Sequence, residues 1–144
     1  MKYFDALEKL LPWSGCQRRR VAAMIINPKT RRPIGSGVNG SPHSSCEKLG
    51  GCLRNQMGIE SGTRHEVCRA VHAEQEAIFQ AMKHGNGKEL EGAVLICTHS
   101  PCSICARMII RAGIKAVYYK EGYPDEIGFR LLEEAGVTCE QRVF

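Results

Sequence analysis

The sequence predicts an α/β fold in which a largely parallel sheet carries helices on its faces. Over residues 93–143, short apolar runs alternate with stretches of helix formers in the order strand, helix, strand, helix, strand. That order implies parallel strands joined by crossover helices. Earlier in the chain, apolar runs at 21–26 and 34–38 flank a turn sequence, Asn27-Pro28-Lys29-Thr30-Arg31-Arg32-Pro33, which predicts a strand that turns back on itself. The 144 residues suit one domain with a layered core, and no internal repeat or low-complexity segment interrupts them.

Each element has its own signature. Residues 3–11 place Phe4, Leu7, Leu10 and Leu11 at helical spacing, and Pro12 ends the helix. The run 21–26 is continuous and branched, as in a buried strand. Residues 39–69 show no period and are rich in Gly, Ser and Cys. A structureless stretch of that length is unusual in a compact domain, so something other than an apolar core should hold it. Residues 71–84 are good helix formers with Gly85 at the end. Strands are expected at 93–98, 114–119 and 137–143, and helices at 102–112 and 125–135, closed by Gly113 and Gly136.

Composition bounds the function. Hydrophobic residues make up 43% and charged residues 24%, an ordinary globular balance. No apolar run reaches the roughly 20 residues of a membrane span, and Lys2, Asp5, Glu8 and Lys9 leave no apolar core for a secretory signal. A cytoplasmic location is therefore expected. There, eight cysteines point to metal ligation or catalysis rather than to disulfides. The formal charge of +5 suits an anionic ligand without choosing between a nucleotide, a nucleic acid and plain solubility, and the triplet Arg18-Arg19-Arg20 reads as a solvated or phosphate-facing edge.

The chemistry-bearing residues sit at two helix starts. Cys102 and Cys105 are three apart at the beginning of a helix, so their sulfurs share a face. The positive end of the helix dipole stabilises thiolates there. His72 opens the preceding helix, and helix starts that follow parallel strands converge at one end of the sheet. Two thiolates and one imidazole supply three ligands to zinc and leave the fourth position for water, the pattern of a catalytic site. Glu74, two residues after His72, can approach that position without ligating and so serve as proton shuttle. Either fragment alone is weak, since His-x-Glu is common and Cys-x-x-Cys could be a redox pair; the combination is narrower.

His72-Ala73-Glu74 with Pro101-Cys102-Ser103-Ile104-Cys105 resembles the signature of the zinc deaminases. Around it, Gly37-Val38-Asn39-Gly40-Ser41-Pro42, Ser14-Gly15-Cys16, the run from Arg69 to Gln75 and Ala112-Gly113-Ile114-Lys115 are similar to segments of the deoxycytidylate (dCMP) deaminases, so the likeness runs from about residue 14 to 138. It implies the cytidine-deaminase-like three-layer α/β/α fold with a mixed five-stranded sheet. It also implies hydrolysis of dCMP to dUMP and ammonia, a homo-oligomer that is often a hexamer, and in some members control by deoxynucleoside triphosphates. By the same resemblance Asn39 contacts substrate, and the backbone around Ser100 meets the departing amine. Val38 stands where the family favours tyrosine and Glu76 where it favours asparagine, two departures beside substrate-facing positions. Other nucleotides, a nucleoside, a modified base or a base within nucleic acid therefore remain as alternative substrates. A non-catalytic zinc-organised module is a further alternative, although such a scaffold has no need of Glu74.

Some dCMP deaminases carry a second zinc in the aperiodic region, and Cys16, Cys46, Cys52 and Cys68 are its expected ligands here, with His65 as a substitute. The other reading is that several of these are small buried residues. Cys97 and Cys139 are expected in the core. Phosphate could be met by Arg54, Arg64, Arg69 or Lys83, which residue type alone does not separate.

Overall fold

The computed structural model describes residues 2–142. Helix α1 (Lys2–Leu10) runs into a 3-10 turn at Leu11–Trp13, where Pro12 cannot donate the next helical hydrogen bond. Strands β1 (Ala22–Asn27) and β2 (Arg32–Val38) form the expected hairpin, antiparallel, with a bulge at Ile25/Ile26. After them come a single-turn helix α2 (Leu53–Gln56), a 3-10 turn at His65–Val67 and helix α3 (Ala73–Lys83). The remainder alternates as β3 (Val94–His99), α4 (Ser103–Ala112), β4 (Ala116–Glu121), α5 (Glu126–Glu134) and β5 (Thr138–Gln141). Val143, the end of the last expected strand, lies outside the described residues.

The five strands make one sheet in the order β2-β1-β3-β4-β5, with β3, β4 and β5 parallel and β1 antiparallel to both of its neighbours. Side chains alternate between faces. Ala23, Ile25, Leu95 and Cys97 join Ala73, Ala77, Ile78, Ala106, Ile109 and Leu132 of α3, α4 and α5 in one core. Ala22, Met24, Ile26 and Ile96 meet Phe4 and Leu7 of α1 on the other face. The result is the three-layer α/β/α arrangement.

Helix α3 begins two residues later than its composition suggests. Val71 is held in an antiparallel bridge to Gly40, with N–H···O bonds of 2.8 and 3.1 Å, so it cannot enter the helix. His72 becomes the extended residue at the helix boundary, and Gln75 Oε1 accepts its N–H at 2.8 Å. Helix α3 also lies close against β2. A Cβ on Gly35 would collide with the Ala77 carbonyl oxygen and sit 2.9 Å from Ala81 N. Gly35→Ala is expected to destabilise the fold by about 1–3 kcal/mol through overpacking, read as a lowered urea midpoint. An unchanged midpoint would mean that the α3–β2 contact is not tight.

Candidate zinc-dependent active site

Because β1 and β3 are antiparallel, the start of β1 and the end of β2 lie at the same sheet end as the C-termini of β3 and β4. Ligand sites of α/β sheets form there, and a cavity of about 210 Å³ opens at this end, lined by residues from all four strand ends and from the segment 54–74.

His72 and Cys102 line it, and the Cys102 and buried Cys105 sulfurs lie 3.4 and 3.3 Å from His72 Nδ1. Zinc bonds of about 2.3 Å to sulfur and about 2.1 Å to nitrogen, opened to a tetrahedral angle, separate such donors by about 3.6 Å, so the spacing fits the ion. Among the described residues this is the one group of three or more potential ligands whose donor atoms all lie within 4.8 Å. Three protein donors leave one tetrahedral position for water or substrate.

Local structure explains the convergence. Cys102 follows β3 and stands at the N-terminus of α4, whose next N–H, that of Ser103, donates to Asp125 Oδ2 at 2.8 Å. The same carboxylate caps α5 through Gly128 N at 3.2 Å, so one side chain binds two helix starts together. A Cβ on Gly128 would lie 2.5 Å from the Pro101 carbonyl oxygen; glycine is what lets α5 press against the cysteine loop. The Sγ–H of Cys105, with the His72 imidazole, pulls the Cys102 thiol down to about 4, and the thiolate is the ligating form. Cys105 is correspondingly pushed up by its neighbour.

Glu74 is 5% exposed, in the first turn of α3. Burial pushes its carboxyl upward, against the pull of His72. Asn39 is buried, and its side chain is mostly committed: Oδ1 accepts from Ser14 Oγ at 2.6 Å and from Val21 N at 2.9 Å, and Nδ2 donates to the Arg19 carbonyl at 2.7 Å. One amide hydrogen is left for a ligand. Ser100 is buried in the cavity wall; its N–H donates to the Glu121 carbonyl at 2.9 Å, and its hydroxyl accepts the Tyr123 N–H at 2.7 Å.

The four candidate phosphate cations separate. Arg64 pairs with Glu66 at the surface, Nε to Oε1 at 3.1 Å. Arg69 spends its guanidinium on the carbonyls of Gly51 and Leu49, at 2.9 and 3.2 Å, and so clamps the inserted segment. Lys83 is exposed on α3. Arg54 alone of the four lines the cavity, joined by Arg18 and Arg19 of the basic triplet. His65 stands there too, its ring 5.3 Å from that of His72 and 6.0 Å from that of Tyr123. Sequence reasoning did not single out Tyr123 or Asp125. Their signal is position, in the loop after the C-terminal end of a parallel strand.

Cys16, Cys46, Cys52 and Cys68 do not form a second group with donors inside 4.8 Å. Cys16 and Cys52 nevertheless both act on the Cys68 thiol, which burial chiefly pushes up. Cys16 and Cys68 each accept a backbone N–H at sulfur, from Arg19 at 3.5 Å and Ala70 at 3.4 Å. Val38 and Glu76 line a second cavity with Trp13 and His43, which shares Asn39 with the first, and the Glu76 N–H donates to the His72 carbonyl at 2.9 Å.

Hydrolytic deaminases of the zinc class set an imidazole and two thiolates beside a non-ligating glutamate, and the site described above is of that class. The chain belongs to the cytidine and deoxycytidylate deaminase family, whose zinc-binding region matches residues 2–121. It is 40% identical to ComE operon protein 2 of Bacillus subtilis over 97% of this chain and 69% of that protein. It is 36% identical to the deoxycytidylate deaminase of Saccharomyces cerevisiae over 91% of this chain but 40% of that protein, so it spans well under half of the yeast enzyme. The dCMP deaminase of cyanophage S-TIM5, solved with dCMP and dUMP, superposes with a TM-score of 0.78 at 30% identity, covering 98% of this chain and 94% of that one.

Proposed function

We propose that this chain hydrolyses dCMP to dUMP and ammonia. The observation that carries the reading is the closure of His72, Cys102 and Cys105 on one point with Glu74 buried beside it. The deoxycytidylate deaminases among its relatives supply the substrate. Bound zinc supplies the Lewis acidity that lowers the pKa of water toward 7. Glu74 takes one proton from the attacking water and gives it to the ring nitrogen next to carbon 4, where the product keeps it. It then carries the second proton, from the hydroxyl now on carbon 4, to the amine, which leaves as ammonia while the carbonyl forms. The backbone around Ser100 meets that amine, and Asn39 gives its remaining amide hydrogen to the substrate. Ammonia release across a panel of dCMP, dCTP, deoxycytidine and single-stranded DNA tests this. Release from dCMP supports it, and turnover of polymers alone overturns it.

The whole chain acts as one deaminase domain in the cytoplasm, with 39–69 as an insertion. No helix of the described residues is long and apolar enough to cross a membrane. A homo-oligomer, with a hexamer as the family's usual form, is supported by apolar side chains left outside: Trp13 is 80% exposed, and Phe79, Met82 and Ile127 are also exposed.

A second zinc at Cys16, Cys46, Cys52 and Cys68, with His65 as a substitute, would hold the insertion; the approach of Cys16 and Cys52 to Cys68 supports this. Metal analysis of the purified chain is expected to find two zinc ions, and Cys46→Ser to leave one. A single ion per chain, with Cys46 and Cys52 open to thiol reagents, would refute the second site.

A further inference from the structure

We infer that Asp125 is a positioning residue for the metal site: its carboxylate joins the first turns of α4 and α5, and the bond to α4 holds Cys102 and Cys105 in their ligating arrangement. The inference rests on the zinc reading of His72, Cys102 and Cys105, and it adds a residue from outside that ligand group.

Both cysteine ligands ride on one turn. Cys102 is the N-cap residue of α4 and Cys105 lies in its first turn, so fraying of that turn moves both sulfurs. The first helical N–H, that of Ser103, has no acceptor within the helix. An N-cap side chain reaches the second or third N–H rather than the first, and the Cys102 sulfur is turned to His72 at 3.4 Å. The acceptor comes from another element, Asp125 Oδ2 at 2.8 Å. Helix α4 also has no acidic residue in its own first turn, so Asp125 supplies the negative charge that a helix N-terminus favours.

Asp125 is itself held. Its N–H donates to the Tyr123 carbonyl at 2.7 Å, and its other oxygen accepts from Gly128 N at 3.2 Å. The loop that carries Cys102 is laced to residues 121–125 on both sides of the ligand. Before it, the Ser100 N–H donates to the Glu121 carbonyl at 2.9 Å and the Ser100 hydroxyl accepts the Tyr123 N–H at 2.7 Å; after it comes the Ser103–Asp125 bond. Of these three bonds, the last alone uses a side chain from 121–125. Capping α5 would not by itself select aspartate, because asparagine and serine cap equally well. What aspartate adds is a second acceptor oxygen, and here both oxygens are used.

The test measures zinc affinity, by competition with a chelator, for the ion that Cys102→Ser is expected to lose. Asp125→Asn keeps one oxygen for the α5 cap and turns an amide N–H toward that of Ser103. Ser103→Pro removes the donor instead. Proline is well accepted at the first helical position, and Cys102 before it is already extended, with φ −75° and ψ 173°. Each variant is expected to weaken zinc by roughly 10- to 100-fold, the usual weight of a residue that supports a metal ligand. Both delete one bond, so the double variant should bind no more than about threefold more weakly than the weaker single variant. At limiting zinc, kcat for dCMP should fall with occupancy while KM holds, and excess zinc should restore it because the three ligands are intact. A merely structural role would lower the urea midpoint of the zinc-free chain and leave its zinc affinity alone. Zinc affinity within about threefold of wild type in Ser103→Pro overturns the inference. Should that variant fail to fold, Asp125→Asn decides by the same ratio. If the wild-type chain holds no zinc there, the zinc reading falls and this inference with it; if wild type and variants hold it equally tightly, only this inference falls.

Discussion

Glu74→Gln is expected to keep zinc at the His72 site and to lower kcat for dCMP by roughly 10²- to 10⁴-fold, the contribution of a positioned general acid–base group. The amide fills the same buried space, so packing around α3 is retained, but it cannot carry a proton between water and the amine. The electrostatics make the carboxylate suited to that traffic. Burial, with the charge of Cys102, raises its affinity for a proton against the pull of His72 and the side chain of Cys105, and the net shift is upward. Two measurements check this: zinc content by metal analysis, and turnover by ammonia release. A variant that holds its zinc and turns over within about threefold of wild type would remove Glu74 from the mechanism. Glu74→Ala should show the same loss with an added penalty in stability, since it opens a cavity beside Cys97 and Cys105.

Loss of a metal ligand should be more severe. Cys102→Ser replaces the thiolate that the surrounding groups stabilise most, the one pulled down to about 4. Serine does not ionise near neutral pH and is a poor partner for zinc beside an imidazole and a second thiol. Zinc at this site should fall to background after dialysis, and ammonia release should fall with it. The effect should reach beyond chemistry, because the ion ties the start of α4 to the start of α3 across 30 residues of sequence separation. A ligand that binds the folded chain alone stabilises it, so the thermal midpoint of the wild type should rise with added zinc and that of Cys102→Ser should not. Retention of stoichiometric zinc and activity by Cys102→Ser would refute the ligand assignment. Chelation of the wild type should reproduce the variant, and added zinc should reverse it.

How far the site could be read from the chain depended on the range of the interactions. His72, Glu74, Cys102 and Cys105 were legible because each sits at a local helix start, where spacing along the chain sets which side chains share a face. The hairpin of β1 and β2 was legible from its turn chemistry. The late start of α3 was not, because the bridge between Val71 and Gly40 joins residues 31 apart and overrides the helix propensity of Val71 and His72. The insertion read as structureless for a related reason. Its order comes from side-chain clamps such as Arg69 on Gly51 and Leu49, and Gln17 Oε1 accepting the Cys52 N–H at 2.9 Å, which leave no period in the sequence.

By itself, then, the sequence determined the layered α/β class and marked the His72, Cys102 and Cys105 donors that the fold brings together, with Glu74 beside them, since periodicity and helix-start chemistry are properties of neighbouring residues. Only the tertiary structure decided which of several similar arginines faces the reacting end of the sheet. Arg54, Arg64 and Arg69 are the same residue type within one insertion, yet one is buried without a counter-charge, one is paired in solvent and one holds backbone carbonyls. Burial and partnership are set by what the folded chain brings alongside, and spacing along the chain carries no record of that.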